Sequence, residues 1–179
     1  QKIFTYDLLI SYGLFNKELK NLRIAKNLFT LSIKKYPTKI NAYILLAEIL
    51  RKENNVSDAI KALHAAKKIE GLNSEIDYNL SISYKTIKLF KEAILSIDSA
   101  IKQQPDNQIY KILKADLLIE CFQNEKAQEL LLDLKFKEDS MLNFQRGILI
   151  SKVFINKKKY KLAEKVLLEL RKLFSKQKI

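Results

Sequence analysis

One small residue, returning on a fixed period, sets the terms for this chain. Alanine recurs at Ala25, Ala59, Ala93, Ala127 and Ala163, at intervals of 34, 34, 34 and 36 residues. Four residues after each stands a large apolar side chain: Phe29, Leu63, Ile97, Leu131 and Leu167. Three further on come Ser32, Ala66, Ala100, Leu134 and Leu170. Thirteen residues before each alanine are Tyr12, Leu46, Leu80, Lys114 and Ile150, and the residue after these is always small: Gly13, Ala47, Ser81, Ala115 and Ser151. The two prolines, Pro37 and Pro105, keep the same phase, each twelve residues after its alanine. Such self-similarity means that one supersecondary unit is copied along the chain, each copy burying its apolar face against the next.

The unit reads as a helix pair. Tyr43, Leu46, Ala47 and Leu50 stand at i, i+3, i+4 and i+7, one face of a helix. The polar run RKENN at 51–55 interrupts them, and a second stripe follows through Ala59, Leu63 and Ala66. Small residues at fixed places let two helix axes approach, so both small-residue series predict crossing points of an antiparallel pair. Proline ends the second helix, because it lacks an N–H and clashes with the preceding turn. Ser74 and Asp106 are the expected caps of the helices that follow. Three glycines and two prolines in 179 residues are too few for a sheet protein with many tight turns. The predicted class is therefore all-α: a solenoid of antiparallel helix pairs, about ten helices, with a concave groove.

These residues resemble the tetratricopeptide repeat (TPR) family, whose unit reads Trp-x-x-Leu-Gly-x-x-Tyr, then Ala-x-x-x-Phe, then Pro. So aligned, residues 1–179 form a single solenoid with repeats at 6–39, 40–73, 74–107, 108–141 and 144–177. The resemblance implies a right-handed superhelix. Several positions depart from the pattern. The first aromatic is Tyr43 in the second repeat but Leu9, Asp77, Lys111 and Gly147 elsewhere, and Lys114 replaces a core leucine. Two extra residues precede the fifth repeat, and proline gives way to Gly71, Asp139 and Ser175. The fourth repeat is the weakest match.

Catalytic and metal signatures are scarce. His64 and Cys121, the only histidine and cysteine, fall in different repeats and make neither a Cys–His pair nor a zinc set, which needs three or four convergent donors. No glycine-rich phosphate loop is present, and the carboxylates are scattered over helical faces. The expectation is a non-enzyme without cofactor or metal. No apolar run approaches the roughly 18 residues of a membrane-spanning helix, and the N-terminus lacks the order of a secretory signal. Beginning with Gln1, the sequence reads as an excised piece, which leaves cytoplasm and periplasm both open.

The resemblance also implies where a partner sits. In TPR proteins the first helix of each pair lines the concave side, and the matching positions here are Ile10, Leu14, Ile44, Glu48, Tyr78, Ile82, Ile112, Asp116, Ile148 and Lys152, extended by Ile119 and Ile155. An apolar strip of this kind suits a protein or peptide segment, such as the apolar face of an amphipathic helix. The competing reading is that the isoleucines pack against neighbouring helices. A clamp for acidic chaperone tails is not expected, because Ile10, Leu14 and Glu48 replace its lysine and asparagines.

Across the groove positions Lys17, Arg51, Lys52, Lys85 and Lys152 face Asp7, Glu18, Glu48, Glu75, Asp116 and Glu120, a balance of −1. The net charge of +13 therefore lies elsewhere, and only four of the 33 basic residues are arginine, as an AT-rich genome would write them. From Lys152 onward ten basic residues face only Glu164 and Glu169, giving +8. This basic C-terminal surface, carried by Lys157, Lys158, Lys159, Lys161, Arg171 and Lys172, offers contact to an acidic protein or an anionic membrane surface. Without arginine-rich or aromatic interleaving it argues against nucleic acid as the partner. The last helix keeps Leu162, Val166, Leu167, Leu170, Leu173 and Phe174, so self-association through the C-terminal face is a further expectation. The functional expectation is a protein-binding scaffold in an assembly of bacterial type. Its alternative is a regulatory or substrate-recognition domain cut from a larger enzyme, such as a glycosyl- or sulfotransferase.

Overall fold

The computed structural model describes residues 5–135 and 140–175. Every regular element among them is an α-helix, and the chain divides into two compact units, Gln1–Ser96 and Ile97–Ile179. The first unit holds α1 (Tyr6–Glu18), α2 (Leu22–Lys35), α3 (Ile40–Lys52), α4 (Val56–Glu70), α5 (Ser74–Thr86) and the start of α6 (Phe90–Gln103). The second holds the rest of α6, then α7 (Gln108–Glu120), α8 (Asn124–Asp133), α9 (Met141–Asn156) and α10 (Tyr160–Ser175). Helices α1 to α8 fall in pairs inside the first four repeat ranges, whereas α9 begins three residues before the expected start of the fifth.

The period appears in the backbone as well. Lys20, Asn54, Lys88, Phe122 and Lys158 adopt positive φ, between 58° and 61°, at one place in every repeat. Each closes the first helix of its pair in the same way: its N–H donates to the carbonyl three residues back, and the next N–H donates to the carbonyl five residues back, as Asn21 does to Asn16. That double bond set is a left-handed C-terminal cap, reached without glycine. Pro37 and Pro105 each follow the end of a second helix, α2 and α6, as their missing N–H requires. The N-caps differ from expectation by one residue. Asn73, not Ser74, caps α5 by accepting from the Glu75 and Ile76 N–H groups, and Asn107, not Asp106, caps α7. An asparagine amide oxygen competes well for this place, and both stand beside the residue expected.

In the first unit the core forms two clusters. Ile10, Ala25, Phe29, Ala42 and Ile49 knit α1, α2 and α3, while Ile44, Ala47, Leu50, Ala59, Leu63, Ala66, Ile76 and Leu80 knit α3, α4 and α5. In the second unit, Ile112, Ala115, Leu118, Ala127, Leu131, Leu149 and Val153 join α7, α8 and α9. Ala25, Ala59, Ala93 and Ala127 are wholly buried, as helix crossing points should be. Two members of the apolar series are not core residues. Tyr12, on α1, and Leu167, on α10, are exposed. Lys114 keeps to the surface by pairing with Asp98 at 2.8 Å. Asp77, in the place of a family aromatic, is buried entirely and is bonded by Lys67 of α4 at 2.5 Å. Asp139 lies outside the described residues, as does the side chain of Phe174.

Candidate functional site

The first helices of the repeats in the first unit, α1, α3 and α5, are tied together along one side by polar contacts at a constant phase. Lys17 of α1 reaches Glu48 of α3 at 2.9 Å, and Lys52, one turn beyond Glu48 on the same helix, adds a second contact at 3.0 Å. Arg51 of α3 then reaches α5: its guanidinium donates to the Asn79 side-chain oxygen at 3.0 Å, to the Ser83 hydroxyl at 3.3 Å and to the Asn79 carbonyl at 3.5 Å. Lys17 and Arg51 occupy the same repeat position, 34 residues apart, so the ladder follows from the period.

Electrostatics in this ladder are balanced by neighbours. Burial pushes the Glu48 carboxyl up, but the hydrogen bonds and charges of Lys17 and Lys52 outweigh it, and its pKa falls below the ordinary value. For Arg51, burial lowers the pKa of the guanidinium, opposed by the charges of Glu48 and Tyr78. The partners that hold the Arg51 guanidinium are neutral acceptors on α5. These bonds hold the planar guanidinium in one orientation on α5.

The residues expected to line the groove divide by depth. Ile10, Ile44 and Ile112 are buried within the three core clusters, so packing against neighbouring helices accounts for them. Leu14 is half-buried against the first cluster. Tyr78 and Ile82, one turn apart on α5, are half-buried and stand outside the clusters. Glu48 belongs to the ladder. In the second unit Asp116 is half-buried and meets the exposed Lys152 at 3.5 Å, and Ile148 is half-buried. Ile119 is buried in the α7–α9 core and Ile155 is exposed.

The basic residues of the C-terminus do not make one patch. Lys157 is turned to α8, bonded to Gln128 at 3.3 Å and to Glu125 at 3.3 Å. Lys158, Lys159 and Lys161 lie at the α9–α10 turn and the start of α10, and Arg171 and Lys172 near its far end. At 1.5 Å per residue, Lys161 and Lys172 are separated by about 16 Å along the helix. Among the described residues no His, Cys, Asp and Glu cluster could hold a metal, and no helix is long and apolar enough to cross a membrane. His64 bonds the Tyr84 hydroxyl at 3.0 Å, and Cys121 caps α7.

Arg51, Asn79 and Ser83 escaped the sequence reading as a set. Their signal was present only as a basic residue at one repeat position facing small polar ones a period later.

This arrangement of helix pairs is the fold of tetratricopeptide-repeat proteins, an all-α array of antiparallel pairs. No family model matches the sequence, and no curated protein matches it. Among solved structures it is similar to the nearly identical TPR-like repeats of a kinesin light chain from Podosopora anserina (TM-score 0.79, 13% identity, covering 95% of each chain). It is similar also to MamA (TM-score 0.72, 16% identity, covering 96% of this chain and 93% of that one). A third likeness is to YrrB, described as a TPR protein with an unusual peptide-binding site (TM-score 0.69, 10% identity, covering 96% and 87%).

Proposed function

We propose that this chain is a non-catalytic, five-repeat scaffold that binds a segment of a partner protein along the first helices of its repeats, within a larger assembly. The observation that carries the reading is the ladder on α1, α3 and α5, where Arg51 is held ready by neutral acceptors beside the half-buried Tyr78 and Ile82. An apolar pair next to a fixed cation suits a segment with an apolar side chain and an acidic one a few residues apart. The description of YrrB as peptide-binding supports a peptide partner. The reading of a domain cut from a transferase gains no support, since the likenesses are to repeat proteins.

Tyr78→Ser/Ile82→Ser, checked for unchanged helical circular dichroism, is compared with the unaltered chain in capture from a lysate of the source organism. A protein retained by the unaltered chain and lost by the variant is the expected result. Retention of the same proteins by both would move recognition off these helices.

A further inference from the structure

We propose that the outer face of α2, with the turn that leads into it, docks on an anionic membrane surface, its basic side chains against lipid phosphates. This face carries none of the ladder residues, and its docking is independent of the function proposed above.

From Leu19 to Ala47 the chain holds six basic residues, Lys20, Arg23, Lys26, Lys34, Lys35 and Lys39, and no acidic one. Lys26 is engaged by Glu53 at 2.6 Å. Arg23, Asn27, Thr30 and Lys34 stand at i, i+4, i+7 and i+11, one face of α2, and all four are exposed. Lys20, Arg23, Ile24 and Asn27 line one open depression where α1 turns into α2. Exposure of this row does not depend on what precedes α1. One period later the places of Lys20, Arg23, Asn27, Thr30 and Lys34 hold Asn54, Ser57, Lys61, His64 and Lys68. These too are exposed, although α4 has described helices before and after it in its own unit. The row is thus an outer surface by its place in the repeat.

Helix stability does not explain the charges at the head of α2. The positive end of a helix dipole favours acidic residues in the first turn. Helices α4, α6 and α8 follow this with Asp58, Glu92 and Glu125, whereas α2 has no acidic residue there and carries Arg23, with Lys20 just before the helix. Lys34 and Lys35, by contrast, sit in its last turn, where cations are favoured. Comparison with the second repeat sharpens the point. Its places for Leu19, Lys20, Arg23 and Ile24 hold Glu53, Asn54, Ser57 and Asp58. The first repeat therefore has aliphatic side chains where the second has carboxylates, and cations where the second is neutral.

The chemistry of the face favours a lipid surface over other anionic partners. Leu19 and Ile24 are 55% and 44% exposed beside the cations. Aliphatic side chains next to lysines suit the headgroup boundary of a bilayer, where the chains meet acyl carbon and the ammonium groups meet phosphate. Nucleic acid is better met by arginine forks and by aromatic platforms on which bases stack. Here Arg23 is the one arginine among the six basic residues, and the row Lys20, Arg23, Asn27, Thr30 and Lys34 holds no aromatic side chain. Geometry points the same way. A single outer helix, about 16 Å from Arg23 to Lys34, gives a partner protein only a narrow ridge. A charged plane instead attracts every cation within a Debye length of it, Lys35 beside Lys34 included.

Vesicle co-sedimentation of the 179-residue chain tests this, with phosphatidylcholine alone and with about 30% phosphatidylglycerol added, at about 0.1 M and about 0.5 M salt. The chain should bind the anionic vesicles at the lower salt, leave them at the higher, and ignore the neutral ones. Lys20→Gln/Arg23→Gln/Lys34→Gln, all at exposed positions and checked for native circular dichroism, should weaken binding about 100-fold, about fivefold for each charge. Lys158→Gln/Lys159→Gln/Lys161→Gln removes the same charge from the second unit and should weaken it by less than about tenfold. Three results would overturn the proposal. The unaltered chain could fail to bind anionic vesicles at the lower salt; retention by polyuridylate or by polyglutamate, lost in the α2 variant, would then give the face to nucleic acid or to an acidic protein. The two triple variants could lose binding equally, which would mean net charge without a defined face. The second-unit variant could lose more than the α2 variant, which would place the contact at the α9–α10 turn.

Discussion

Gly13 and Phe29 form the contact from which a stability change can be worked most directly. A Cβ added at Gly13 would lie 2.3 Å from Phe29 Cε1 and 2.9 Å from Cδ1 and Cζ. Phe29 is wholly buried, so its ring has no open space to turn into. Gly13→Ala therefore gains about 0.5–1 kcal/mol of helix propensity but meets an overpacking cost of about 1–3 kcal/mol. The net expectation is a loss of about 1–2 kcal/mol. Phe29→Leu alone opens a void opposite glycine and costs about 1–2 kcal/mol. One period later the same two places hold Ala47 and Leu63, both wholly buried in one cluster. The double variant Gly13→Ala/Phe29→Leu copies that native pair, so it should lie within about 1 kcal/mol of the unaltered chain rather than at the sum of the single losses. Urea unfolding followed by circular dichroism, on all four proteins, gives the coupling energy. Strict additivity, or a Gly13→Ala variant more stable than the unaltered chain, would refute the claim that equivalent places in the repeats are interchangeable.

Two further outcomes follow from the charged contacts. Lys67→Met leaves the buried Asp77 carboxylate without the ammonium at 2.5 Å, and should cost about 2–3 kcal/mol in urea unfolding at neutral pH, a figure reduced for the lysine's partly exposed end. Lys67→Met/Asp77→Leu should recover most of that loss, and a double variant no better than the single one would count against the pair. Glu48 has a lowered pKa in the folded chain, so its contribution is fully present above the ordinary glutamate value of about 4.3 and is lost as pH falls through the folded value. Between about pH 5 and pH 3, Glu48→Gln should flatten the acid side of the stability profile by less than about 1 kcal/mol, and an unchanged slope would contradict this.

The helices and their pairing were legible because they depend on periodic local signals: small residues at crossings, apolar stripes, proline beyond the second helix. The caps slipped by one residue because asparagine, serine and aspartate compete for the same backbone donors, and Asn73 and Asn107 won where Ser74 and Asp106 were expected. The groove residues were harder to place. A repeat position says which helix face a residue occupies but not how closely the next repeat approaches it, so Ile10, Ile44 and Ile112 belong to the core rather than to an open lining. Leu167 shows the converse, exposed where Phe29, Leu63, Ile97 and Leu131 at the same repeat place are wholly buried. Asp77 looked like a simple departure from an aromatic position, and only the structure pairs it with Lys67, ten residues earlier on the preceding helix.

The five left-handed residues, Lys20, Asn54, Lys88, Phe122 and Lys158, have a meaning for how this sequence could be improved. Only one of them is asparagine, the side chain most at ease there, and none is glycine, the residue for which that conformation carries no steric penalty. The other four, Lys20, Lys88, Phe122 and Lys158, therefore each keep on the order of 1 kcal/mol of backbone strain in the native state. Because the turns share one bonding pattern, glycine at these four places is a modular intervention, each increment being the relieved strain less glycine's larger unfolded-state entropy, and it leaves Arg51, Tyr78 and Ile82 untouched. The chain holds its fold with this strain in place, which marks the turns, rather than the packed alanines, as the part of the repeat where an engineer has room to work.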